Sequence, residues 1–72
     1  MLVHFALSSG EPAMLELLDV AGRRVRERAV GMLGAGQHAV DLAAGQRLEP
    51  GLYFVRLTQG ASRRVARATV MD

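Results

Sequence analysis

The chain has 72 residues, enough for one small domain without a second core. It has no cysteine, which excludes disulfides and thiolate metal sites. Its nine arginines and seven acidic residues leave a net charge of +2, too small and scattered a surplus for a nucleic-acid footprint.

No apolar run approaches the roughly 18 residues of a membrane helix, so membrane insertion is not expected. The opening stretch MLVHFALSSG lacks the basic region and small-residue cleavage site of a secretory leader. As a stand-alone chain it is expected to stay in the cytoplasm; as part of a longer protein it would follow its parent. Lys, Asn and Ile are all absent, which fits a GC-rich gene, and the high isoelectric point follows from arginines that never deprotonate. A domain of this size buries only roughly 60% of its unfolded surface, so its stability margin is expected to be thin.

In chain order, the dominant period is two. VHFAL places Val3, Phe5 and Leu7 on one face. SSGEP breaks the pattern, with Pro12 ending any ladder. AMLELLDV then sets Ala13, Leu15 and Leu17 against Met14, Glu16 and Leu18. DVAG is a tight-turn tetrad in which Asp19 can accept from the backbone N–H groups ahead of it and Gly22 can take positive φ. RRVRERAV resumes as a strand with charges around Val25, so residues 13–30 read as a β-hairpin. A helix is the competing reading there, because Ala, Leu, Arg and Glu favour one, but Gly22 and the alternation on both sides oppose it.

GMLGAGQ, with glycines at 31, 34 and 36, reads as a loop. QHAVDLA alternates again, with His38, Val40 and Leu42 on one face. AGQRLEPG reads as a second loop in which Pro50-Gly51 fits the centre of a type II turn. LYFVRLTQ is the strongest strand, with Tyr53, Val55 and Leu57 on one face and Leu52, Phe54 and Arg56 on the other. GAS turns the chain into a last strand, RRVARATVM. Short strands at regular spacing with no helical segment predict an all-β sandwich or barrel.

Catalytic chemistry finds little material. His4 and His38 each sit in a strand pattern, and a metal site would need both together with carboxylates such as Asp41; they read as strand histidines with half-exposed rings. Ser8 and Ser9 lie beside Gly10 without a nucleophile-elbow pattern and read as turn residues. The glycines of GMLGAGQ precede no helix, so they do not form a phosphate cradle. No catalytic, metal or cofactor site is expected. Arg63, Arg64 and Arg67 form a basic group on the last strand, either a solvated edge that discourages sheet-to-sheet pairing or a partner contact.

The order FAL, LELLDVAGRRV, GAGQHAVDLA, LEPGLYFVRLTQG and a basic final strand closely resembles the C-terminal sorting domain (type A) of proteins exported by the type IX secretion system. It is also similar to the immunoglobulin-like domain of flagellar hook-capping proteins. The motif positions are Asp19, Gly22, Arg23, Gly36, Leu48, Gly51 and Tyr53, and the resemblance spans nearly all of residues 3–71.

The resemblance implies a small immunoglobulin-like antiparallel β-sandwich of about six to seven strands, a single domain over 2–72 at the end of a larger secreted protein. It implies a non-catalytic role, directing an N-terminal cargo across the outer membrane of a bacterium to the medium or cell surface by way of the periplasm. The implied partners are the outer-membrane secretion machinery, a sortase-like protease and the cargo domains. Family members often end in a lysine-rich strand, whereas this chain offers Arg63, Arg64 and Arg67 and ends in Asp72. A passive structural module of an extracellular protein, or a hook-capping-like assembly domain, is the alternative. With no Trp and one Tyr, a sugar-binding platform is not expected.

Within LEPGLYFVRLTQG, Tyr53, Val55 and Leu57 are the expected core face, Leu48 plugs that core from the loop, and the Tyr53 hydroxyl needs a partner at the sandwich edge, as in a tyrosine corner. Leu52 and Phe54 face what should be the wet side. They are expected either to be covered by the GMLGAG loop or to form a docking patch. An uncovered edge strand would support weak self-association.

Overall fold

The period-two pattern is realised as six strands. The computed structural model describes residues 1–43 and 47–71; positions 44–46 of the second expected loop, and Asp72, lie outside the described residues. The strands are β1 (Leu2–Leu7), β2 (Ala13–Asp19), β3 (Arg24–Ala29), β4 (Gly36–Asp41), β5 (Gly51–Gln59) and β6 (Ser62–Val70). They form two antiparallel sheets, β1-β4 and β3-β2-β5-β6, packed as a small sandwich. No α-helix occurs among the described residues, and residues 13–30 form the expected hairpin.

Register decides which side chains meet. β2 and β5 align Leu15 with Leu57 and Leu17 with Val55, so the apolar alternations of both strands fall on one face. β1 brings Val3 opposite Val40 and Phe5 opposite His38 in the second sheet. Between the layers lies a core that includes Leu7, Leu15, Leu17, Val30, Val40, Leu42, Leu48 and Tyr53, with Leu15, Leu17 and Val30 fully buried. Each such side chain contributes about 1.5–3 kcal/mol of burial.

The β2–β3 turn follows the chemistry of its residues. Asp19 Oδ1 accepts from the backbone N–H groups of Ala21 (3.0 Å) and Arg23 (2.9 Å), and its Oδ2 accepts from Arg23 Nε (2.9 Å). Gly22 donates to the Asp19 carbonyl at 3.0 Å and takes φ 84°, the left-handed conformation that a side chain would oppose. The register then shifts between Leu17 and Leu18, placing Val25 half-buried against the core while Arg26 lies opposite Leu17.

Two local expectations are corrected. The GMLGAGQ loop ends earlier than expected, because Gly36 and Gln37 already belong to β4, and the loop itself holds a 3₁₀ turn at Gly31–Leu33 closed by the Leu33 and Gly34 amides donating to the Val30 and Gly31 carbonyls. Gly51 has φ 152°, far from the roughly +80° of the third residue of a type II turn, because it already pairs with Val70 as the first residue of β5.

Candidate interaction face

The four-stranded sheet has an outer face, built in rows by its register. One row runs Glu27, Glu16, Arg56, Val65 across β3, β2, β5 and β6. Arg56 grips the Glu16 carboxylate with two hydrogen bonds, Nε to Oε1 at 3.0 Å and Nη2 to Oε2 at 3.2 Å. Arg24 Nη1 adds a third at 3.3 Å to Oε2 and also reaches Glu27 at 3.3 Å. Glu16 is only 6% exposed, so this is a charge network under side chains rather than a loose surface pair. The hydrogen bonds from Arg56, with further help from Arg24, hold the Glu16 carboxyl below the usual carboxylate range against the opposing effect of burial.

The next row runs Arg24, Leu18, Phe54, Arg67, and Leu52 lies beside Thr69 at its end. Phe54 is half-buried between Leu18 and Arg67 in this row, and Leu52 is 37% exposed. The GMLGAG loop does not cover them. Gly31 packs on the backbone of Glu11, Pro12 and Ala13, and Ala13 pairs with Gln59 at the other end of β5. A loop anchored there is about seven residues of strand from Leu52, roughly 23 Å along the sheet. Leu52 and Phe54 therefore stand with Arg67 on an open face, and Arg63 shares that face further along β6.

Arg64 is separated from this group. It pairs with Leu57, on the face of the sheet that looks toward β1, so the basic cluster read from sequence divides between two faces. All three arginines are exposed on β6, an edge strand.

The motif residues mostly serve the scaffold. Tyr53 is buried in the core, and its hydroxyl donates to the Glu49 carbonyl at 2.7 Å, the backbone partner expected of a tyrosine corner. Leu48 joins the core from the loop, Asp19, Gly22 and Arg23 form the turn, and Gly36 opens β4 with φ 119°. Gly51 starts β5.

The histidines are not brought together. His4 and His38 occupy opposite faces of the β1-β4 sheet; the His38 ring sits 5.7 Å from that of Phe5, and its Nε2 lies 2.7 Å from the Gly34 carbonyl. Among the described residues, no three His, Asp or Glu side chains are grouped to hold a metal. Ser9 Oγ accepts from the Glu11 amide, and Gln59 Nε2 donates to the Ser9 and Glu11 carbonyls, so the serines belong to a turn tied to β5.

Sequence reading missed the Glu16 network, although Glu16 amid Leu15, Leu17 and Leu18 with Arg56 on a partner strand is a signal that pairing of strands would expose. No family model matches the chain, and no curated protein matches it.

Proposed function

We propose that this protein is a non-catalytic C-terminal domain that directs an attached cargo across the outer membrane through the type IX secretion system, ending at the cell surface or in the medium. Its partners in this reading are the outer-membrane secretion machinery, a sortase-like protease and the N-terminal cargo domains. The observation that carries the reading is the sequence resemblance from FAL to the basic final strand. The folded context supports it: Asp19, Gly22, Arg23, Leu48 and Tyr53 each hold part of one sandwich, as a shared fold would require. The open row of Leu52, Phe54 and Arg67 is the contact we assign to the machinery, with Arg63 beside it.

The test is a reporter carrying a signal peptide and fused ahead of residues 2–72, expressed in a host with an active type IX system. Surface or medium delivery that disappears when the translocon is deleted is the expected result. Periplasmic retention of the intact fusion, in a host that exports a control fusion bearing its own sorting domain, would sink the proposal.

A second reading, an assembly domain like that of hook-capping proteins, draws on the two sheet edges formed by β3 and β6. It predicts self-association or binding to a filament subunit in solution, with no effect of translocon deletion.

A further inference from the structure

The outer face of the four-stranded sheet balances its own acidic charge and leaves basic charge over. Glu16 is held by Arg56 at 3.0 and 3.2 Å and by Arg24 at 3.3 Å, and Glu27 lies 3.3 Å from Arg24. Those two carboxylates and two guanidinium groups cancel. Arg63 and Arg67 project from the same face, on β6, and both are exposed. Neither has an ion-pair partner among the described residues.

The strand fixes the spacing of the two. They are four residues apart, about 13 Å along β6. Val65 stands between them on the same face, 57% exposed. On β5, Thr58 lies opposite Arg63 and Phe54 opposite Arg67, and Leu52 follows beside Thr69. Along the sheet the face therefore presents a cation, an apolar side chain, a second cation and a second apolar group. They recur every second residue, the repeat of an extended chain.

We propose that this face receives an extended acidic segment of a partner protein, laid over β5 and β6. Its carboxylates meet Arg63 and Arg67, and its apolar side chains meet Val65 and the pair Leu52 and Phe54. One side of a single extended segment supplies all four groups, because its alternate side chains share a face. Contact with Val65, Leu52 and Phe54 removes apolar surface from water, and the unmatched arginines choose the sign of the partner. An anionic lipid surface is the poorer fit, since two arginines are fewer than the about four to eight clustered cations that such recognition uses. The inference deepens the export reading and rests on it for the owner of the segment, the secretion machinery. The chemistry of the segment stands on the face itself.

The test is a titration of the purified, isotope-labelled 72-residue chain, read by amide NMR at neutral pH and low salt. The probe is the capped peptide Ser-Glu-Ser-Val-Ser-Glu-Ser-Leu-Ser, beside a counterpart with Lys in place of both Glu. The acidic peptide is expected to shift the Phe54, Val65 and Arg67 amides and to bind about tenfold more tightly than the basic one. That preference is expected to vanish in about 1 M salt, where screening acts within a few ångströms. Arg63→Glu with Arg67→Glu is expected to reverse the preference, and Arg63→Lys with Arg67→Lys to keep it. Leu52→Ser is expected to weaken both peptides alike, by about threefold.

Equal binding of the two peptides, shifts centred on the opposite face of the sheet, or no shift at millimolar peptide would overturn the proposal. So would binding to phosphatidylglycerol vesicles that the acidic peptide does not displace. The reporter fusion keeps the two readings apart. Delivery without an acidic preference would remove the acidic segment and leave the export reading. An acidic preference in a chain whose fusion is not delivered would leave the segment and remove the machinery as its owner.

Discussion

The hydroxyl of Tyr53 donates a 2.7 Å hydrogen bond to the carbonyl of Glu49, four residues back. That bond ties the loop entering β5 to the strand itself, with Tyr53 only 8% exposed. Tyr53→Phe keeps the packing and loses the bond, so it is expected to cost about 1 kcal/mol. Tyr53→Ala also empties the core and is expected to cost about 3–5 kcal/mol, enough to prevent folding in a domain this small. Urea unfolding of both variants checks the order; an unchanged melt for Tyr53→Ala would remove Tyr53 from the core.

Gly31 is required by contact rather than by φ. A Cβ there would stand 2.4 Å from the Glu11 carbonyl oxygen and 2.8 Å from the Ala13 amide nitrogen, both backbone atoms. Beside it, the Val30 amide bonds the Ala13 carbonyl at 2.9 Å, so neither segment can retreat freely. Gly31→Ala is expected to destabilise by about 1–3 kcal/mol. Gly10→Ala, with nothing within 4 Å, is the control expected to stay near neutral. Equal midpoints for the two variants would refute the close-contact account.

Two carboxylates link stability to acid. Hydrogen bonds from Arg56, then Arg24, lower the Glu16 carboxyl, and the Arg23 amide, with the Arg23 side chain and the Ala21 amide, lowers that of Asp19. A group whose pKa is depressed on folding contributes its stability in full above its unfolded pKa, and loses it as pH falls through the folded value. Stability is therefore expected to hold from neutral down to about pH 5 and then to decline below the ordinary carboxylate range of about 4. Glu16→Gln should flatten part of that acid slope and cost about 1.5–3 kcal/mol at neutral pH. An acid limb identical to that of the parent chain would show that Glu16 does not contribute to it.

Leu52 and Phe54 separate interaction from folding. Leu52→Ser changes an exposed side chain and is expected to shift stability by about 0.5 kcal/mol or less. Under the export reading, Leu52→Ser combined with Arg67→Glu leaves the fold in place and lowers surface delivery of the fused reporter. Delivery equal to that of the parent fusion, with both proteins folded, would move the contact off this face.

Much of this protein was legible in its sequence because strand information is local. Alternation alone assigns Val3, Phe5 and Leu7, then Ala13, Leu15 and Leu17, then Tyr53, Val55 and Leu57 to inner faces, since a pleated strand must send neighbours to opposite sides. Asp19 and Gly22 announce their turn because the side chain and backbone that build it lie within five residues. Tertiary structure alone decided what depends on which strands become neighbours. Pairing β2 with β5 sets Arg56 on Glu16, forty residues apart, and the parity of β6 divides Arg64 from Arg63 and Arg67. The packing of Gly31 on Glu11 to Ala13 carries the glycine loop away from Leu52 and leaves that face open.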